Sequence, residues 1–106
     1  MKTDRLARLR TDGWRVGSAE EFLQLSEEER RLVDLKVSLS RAVKKSRIKR
    51  KLSQVDLAQR MKSSQSRIAK IEAGDPSVSL DLIVRALIAS GATTRDIQTA
   101  FAVGAR

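Results

Sequence analysis

The chain has 106 residues, of which 41% are hydrophobic and 3% aromatic, and its formal net charge is +9. This length suits one small domain, and a core with few aromatics must consist of Leu, Ile, Val and Ala, which favours helices over a sheet. Cys and His do not occur, and this excludes disulfides, thiolate or imidazole metal sites and any catalytic mechanism that needs either side chain.

The sequence gives no sign of export, membrane insertion or catalysis. It has no signal-peptide pattern, and the apolar run 82–89 is interrupted by Arg85, so we expect a cytoplasmic protein without a membrane segment. Carboxylates such as Asp34 and Asp81 show no paired acid–base spacing. We therefore expect neither an enzyme nor a bound cofactor or metal.

Residues 1–26 predict an arm followed by a short helix. Ser18 and Glu21 have the spacing of a capping box, and Phe22 is among the apolar residues of the helix that follows. Trp14, the only tryptophan, either packs against the rest of the protein or anchors a partner, and packing is the commoner fate of this side chain. Trp14 and Phe22 are the candidate residues of a partner surface.

A long amphipathic helix is predicted from about residue 27 to the high 40s. Leu32, Leu35, Leu39 and Ala42 or Val43 recur at helical spacing and give the helix an apolar stripe. The last turns run into a basic stretch, 41–51, in which seven of eleven residues are Lys or Arg. Cations suit the negative end of a helix dipole, but so many exceed what the helix end needs.

The run 52–74 predicts a helix, a tight turn and a second helix. Ser53 and Asp56 form a capping box that starts the first helix, and Ser64 caps the second. Gly74 marks the end of the second helix. Two helices this short bury few atoms of their own, so neighbouring helices must support them.

Two more helices complete the predicted bundle. Ser79 caps the very apolar stretch 80–90, which should form its buried spine. Thr93 or Thr94, with Asp96 in the first turn, starts the last helix. Its apolar stripe is either core or a dimer surface. The residues that we assign to a dimer seam are Ile97, Phe101 and Val103.

The positive charge is concentrated on one third of the chain. Residues 41–74 carry eleven basic and two acidic groups, a net charge of +9, so the remaining residues sum to zero. This third also contains the predicted helix-turn-helix. Their coincidence favours a polyanionic partner over an ordinary solvated basic face. Three aromatic side chains are too few for the stacking platform of a single-strand binder.

The run 52–74 resembles the phage-repressor or xenobiotic-response-element (XRE) family of helix-turn-helix DNA-binding domains. The similarity includes the Leu-Ser-Gln start, the Gln-Ser pair that opens the second helix and the Glu-Ala-Gly exit, and it extends over roughly 36–103. It implies an all-α fold, a five-helix phage-repressor-like domain at residues 27–106 with residues 1–26 as a short N-terminal extension.

The family resemblance also implies a docking mode, in which the second helix enters the major groove of double-stranded DNA. Gln65 can pair with adenine and Lys70 with guanine, and Gln54 is expected to brace Gln65. The residues assigned to base reading are Gln65, Ser66, Arg67 and Lys70. Those assigned to the DNA backbone are Gln54, Ser64, Lys44, Lys45, Lys49, Lys51 and Lys62.

Two lysines depart from the family pattern. Lys62 stands in the turn and Lys51 stands before the Leu-Ser-Gln start, where relatives commonly have Gly. At positive φ each would carry strain of about 1 kcal/mol.

The N-terminal segment narrows the resemblance further. A Gly-Trp-Arg-Val-Gly element at 13–17, followed by a short helix, resembles small XRE antitoxins of HigA type. This implies an antitoxin that neutralises a RelE-like ribonuclease toxin and represses its own operon. The alternative is a stand-alone or phage-derived XRE-family regulator without a toxin partner. A homodimer is expected in either case, because two recognition helices are needed to read half-sites one turn apart.

Overall fold

The computed structural model describes residues 26–104. The chain divides into two units, 1–30 and 31–106. The short helix predicted after Ser18 and the partner-surface residues Trp14 and Phe22 lie outside the described residues, and a domain boundary near residue 26 stays a prediction.

Residues 26–104 form five α-helices and no strand, which confirms the predicted all-α class. The helices are α1 Glu27–Lys49, α2 Gln54–Arg60, α3 Gln65–Ala73, α4 Leu80–Ala89 and α5 Thr94–Gly104. None of them is long and apolar enough to cross a membrane.

Local hydrogen bonds start and stop the two short helices where the sequence predicts. Ser53 Oγ accepts from the amide of Asp56 at 2.9 Å, and the Ser53 amide donates to the Asp56 carboxylate at 2.8 Å. Ser64 Oγ accepts from the amide of Arg67 at 3.2 Å. Gly74 ends α3 in the left-handed conformation, with φ of 75°. The two helix starts are therefore set by polar side chains close in sequence, and the end of α3 is set by the backbone conformation of a glycine.

Carboxylates at two helix starts are stabilised in their charged form. The backbone hydrogen bond from Ser53 lowers the pKa of Asp56, and that from Thr93 lowers the pKa of Asp96. Because both pKa values are lower in the folded state, these groups favour folding above their ordinary pKa of about 4. This contribution is lost as the pH falls through the lowered folded-state values.

All five helices and the connector before α4 contribute to one core of aliphatic side chains. Ala58 of α2 is small and 4% exposed, and it belongs to the same buried core as Ile68 and Ile71 of α3. The buried hydrophobic residues are Leu39, Val43, Leu57, Ala58, Ile68, Ile71, Val78, Ile83, Ala86, Leu87 and Ala100.

The predicted apolar stripe of α1 is wrong at its first position. Leu32 is 46% exposed and Leu35 is only partly buried, whereas Leu39 and Val43 are fully buried. The apolar residues of α1 that belong to the buried core, Leu39 and Val43, therefore lie in its second half. The predicted spine, α4, is likewise not buried all round, since Ile88 is 60% exposed.

Gly91 lies where a side chain cannot be added without cost. Its φ is +96°, and a Cβ atom built there would lie 2.7 Å from Cδ of Arg50. Gly74 has a φ of +75° but open space around it. We therefore expect Gly91→Ala to lower the free energy of unfolding by more than Gly74→Ala, which should cost only the strain of about 1 kcal/mol. Urea unfolding of both variants measures this, and equal losses would show that Arg50 gives way freely.

Candidate nucleic-acid interface

Helix α3 has one polar face and one buried face. Ile68 and Ile71 are fully buried, so the side chains on the opposite side point to solvent. All four residues assigned to base reading lie on this exposed side: Gln65, Ser66, Arg67 and Lys70. A nine-residue helix supported on one side and polar on the other fits the dimensions of the major groove.

The first residues of α2 and α3 are joined through their side chains. Gln65 Nε2 donates to Gln54 Oε1 at 2.6 Å, so the predicted contact between the two amides is present. A Gln amide nitrogen has two hydrogens. Pairing with adenine requires one donor and one acceptor, and Gln65 therefore retains both while Gln54 holds it.

Gln54 is itself held by a buried ion pair. Its Nε2 donates to Glu72 Oε1 at 3.1 Å. Arg47 binds the same carboxylate with two nitrogens, Nε to Oε2 at 2.6 Å and Nη2 to Oε1 at 3.0 Å. The side chains of Arg47 and Glu72 are 11% and 4% exposed, and the hydrogen bond to Glu72 raises the pKa of Arg47. Arg47 also donates to the carbonyl oxygen of Leu52 at 2.8 Å.

These contacts form one chain, Arg47–Glu72–Gln54–Gln65, which we name the Arg47 network. It runs from α1 to the end of α3, to the start of α2 and back to the start of α3. From the sequence, Glu72 is only the acidic end of α3, and its role in positioning Gln54 was missed. The sequence did offer one indication of a role for Glu72, because it is one of only two acidic residues in the strongly basic segment 41–74.

A shallow groove of about 420 Å³ joins the exposed face of α3 to the start of α4. The connector contributes Ser77 and Ser79, which were predicted only as connector and cap. Ser79 caps α4 by accepting from the amide of Leu82 at 3.1 Å. Serine hydroxyls and a helix start are suited to an oxyanion such as a DNA phosphate. The groove is lined by Ser64, Ser66, Arg67, Lys70, Ser77, Val78, Ser79 and Leu82.

The lysines assigned to the DNA backbone do not form one cluster. Lys45 and Lys49 line a separate groove between α1 and α5. Lys51 precedes α2 and Lys62 follows it, and both are exposed, as is Lys44. Only Lys51 and Lys62 therefore lie next to the two short helices in the chain.

Lys51 and Lys62 adopt the left-handed backbone conformation that favours Gly, with φ of 59° and 53°. Replacing either by Gly removes a steric clash of about 1 kcal/mol, partly offset by the greater freedom of Gly in the unfolded chain. We expect Lys62→Gly to raise the melting temperature by a few degrees and to weaken DNA binding slightly through the lost charge. Lys51→Gly should have the same two effects. If the melting temperature rises in neither variant, the backbone is not strained at either lysine.

Among residues 26–104 no group of three or more acidic side chains could hold a metal ion. The exposed residues assigned to this surface carry amide, hydroxyl, guanidinium and ammonium groups. These are the groups that donate hydrogen bonds to base edges and phosphates.

Comparison with known families identifies the segment that contains this surface. Residues 43–91, slightly less than half of the chain, match the family described as Helix-turn-helix. The matched segment contains α2, α3 and α4 and supports a DNA-binding transcriptional regulator with a helix-turn-helix of the XRE or phage-repressor type. No curated protein and no solved structure matched the chain with significant similarity.

Proposed function

We propose, from the helix-turn-helix domain at 43–91, that the protein is a sequence-specific repressor that binds double-stranded DNA. The observation that carries the proposal is the position of Gln65. It is the first residue of α3 and it is exposed. Its side chain donates a hydrogen bond to Gln54, which in turn donates to Glu72 of the Arg47 network. A side chain fixed in this way loses little conformational entropy when it pairs with a base.

Base reading and backbone binding are assigned to different groups in this proposal. Gln65, Ser66, Arg67 and Lys70 contact base edges, with Gln65 on adenine and Lys70 on guanine. Gln54, Ser64 and the exposed lysines contact phosphates, which gives affinity without sequence choice. The groove at Ser77 and Ser79 extends the phosphate contacts toward α4.

The functional unit in this proposal is a homodimer on a two-fold symmetric operator, because one recognition helix reads too few bases to be specific. The proposed seam lies on α5. Val103 is 47% exposed, whereas Ile97 and Phe101 are partly buried against the core and offer only their outer edges. Light scattering of the protein–DNA complex measures the stoichiometry, and a monomer on the operator would refute the dimer.

Selection from a random pool of duplexes tests the proposal. We expect enrichment of one sequence with two half-sites, and no comparable binding of single strands. If about six phosphates are neutralised per bound unit, the logarithm of the binding constant should fall with the logarithm of salt concentration at a slope near −5. A pool that remains random after selection would show that the protein does not recognise a specific sequence.

The specific biological role in this proposal is that of an antitoxin that neutralises a RelE-like ribonuclease and represses its own operon. Its support is the sequence similarity of 13–17 and the following segment to HigA-type antitoxins. Co-expression with the product of an adjacent RelE-like reading frame should give a stable complex and relieve toxicity. If no such frame or complex exists, the stand-alone regulator is the correct role, and the proposed DNA binding is unaffected.

A further inference from the structure

A second groove lies between α1 and α5, and α3 contributes nothing to its walls. Its volume is about 630 Å³. The floor is apolar, formed by Ala42, Leu87 and Ala100, and the exposed side chain of Val103 extends it at the rim. A groove with an apolar floor of this kind is suited to a partner that has an apolar face.

Hydrogen bonds hold the walls of this groove at two points. Ser38 Oγ donates to the carbonyl oxygen of Ala100 at 2.8 Å and joins α1 to α5. Arg50 donates to Ser46 Oγ at 2.9 Å and pairs with Asp96 at 3.3 Å, which joins the end of α1 to the start of α5. The groove is therefore preformed, and a partner would bind it with little ordering cost.

One wall of the groove is a basic ridge, which we define as Arg41, Lys45 and Lys49. Successive members are four residues apart, so they follow one another along the same face of α1. Within residues 26–104, Arg41 and Lys45 form no ion pair, whereas Arg50 is neutralised by Asp96. Arg41 and Lys45 therefore present unpaired positive charge beside the apolar floor, whereas Lys49 interacts with the charge of Asp96. The acidic residues that line the groove are Asp34 and Asp96.

We propose that this groove binds an acidic amphipathic helix of a partner protein, with carboxylates along the basic ridge and apolar side chains on the floor. The lining residues from Asp34 to Lys49 extend over about 22 Å of α1, the length of about four helical turns. The charge and the apolar floor together select this class of partner. A DNA backbone could use the ridge but would leave the floor empty. This surface is separate from the base-reading face of α3, but it shares Lys45 and Lys49 with the proposed phosphate contacts and Val103 with the proposed dimer seam.

Fluorescence anisotropy with a labelled synthetic peptide tests the proposal on the full chain. The probe is a capped helical peptide about four turns long, with Glu every fourth residue on one edge and Leu on the adjacent face. A scrambled peptide of the same composition controls for non-specific charge attraction. Lys45→Glu reverses a charge on the ridge, and Thr99→Trp fills the groove from α5, where Thr99 is exposed.

We expect the ordered peptide to bind and the scrambled one to bind at least about tenfold more weakly, because only the ordered peptide satisfies floor and ridge together. Lys45→Glu and Thr99→Trp should each weaken binding about tenfold or more. The matched control is Arg85→Glu, which makes the same charge change on α4 outside the groove and should have little effect. Circular dichroism confirms that each variant is folded.

Four results would overturn the proposal. Equal binding of both peptides, or equal losses in Lys45→Glu and Arg85→Glu, would mean attraction by net charge alone. Loss of duplex DNA binding in Thr99→Trp without loss of peptide binding would assign the groove to DNA. Conversion of a dimer to a monomer by Thr99→Trp, with peptide binding retained, would assign it to a second copy of the chain. The peptide measurements do not depend on whether α3 reads DNA, so failure of this proposal is distinguishable from failure of the proposed function.

Discussion

Arg47→Met is expected to lower the free energy of unfolding by about 3 to 5 kcal/mol, since it leaves the carboxylate of Glu72 buried without its cation. Glu72 would then retain only the hydrogen bond from Gln54. Urea unfolding measures the loss. The matched control is Arg85→Met, which removes an arginine from an exposed ion pair with Asp81 and should cost less than about 1 kcal/mol. Similar losses in the two variants would mean that the buried ion pair contributes no more to stability than the exposed one.

The double variant Arg47→Met/Glu72→Leu separates stability from positioning. Replacing both members of a buried ion pair by apolar side chains is often neutral for stability, so most of the lost free energy should return. The carboxylate that holds Gln54 is nevertheless gone. We therefore expect a stable protein that discriminates less well at the base pair read by Gln65. Full discrimination in a stable double variant would show that the Arg47 network has no positioning role.

Gln65→Ala is expected to weaken binding to the selected duplex by about 1 to 3 kcal/mol and to relax specificity at one base pair. The reason is the loss of the amide that Gln54 holds at the start of α3. Binding measurements on the selected duplex, on all single substitutions at that pair and on random duplex separate these effects. Gln98→Ala provides a matched control, because Gln98 is exposed on α5 outside the proposed DNA surface.

A backbone contact should behave differently from a base contact. Lys44→Ala is expected to weaken binding to specific and random duplexes alike and to make the salt dependence less steep by about one unit of slope. Equal losses on specific and random DNA for both Gln65→Ala and Lys44→Ala would remove the distinction between base reading and backbone binding.

The helix boundaries could be predicted because they depend on groups close in sequence. Ser53, Ser64 and Ser79 each accept from an amide three residues later, and Gly74 adopts the left-handed conformation that a helix end favours. A positive φ at Lys51 and Lys62 was left open by the sequence, and both residues adopt it.

Features that depend on distant residues were not predictable in the same way. Arg47 and Glu72 are 25 residues apart in sequence, and no pattern indicates that they pair. Leu32 and the buried Leu39 follow the same helical spacing, so the sequence pattern does not distinguish them. The exposure of Leu32 depends instead on where the other helices reach along α1. The groove beside Lys45 exists only after α1 and α5 have packed together.

The most direct test of the central claim, that α3 reads double-stranded DNA in the major groove, is chemical protection of guanine N7 on the selected duplex. This atom lies in the major groove. We expect protection in two half-sites about one helical turn, or about 10 base pairs, apart, and loss of protection at one guanine in each half-site in Lys70→Ala. Unchanged N7 reactivity on a duplex that the protein fully occupies would contradict the account.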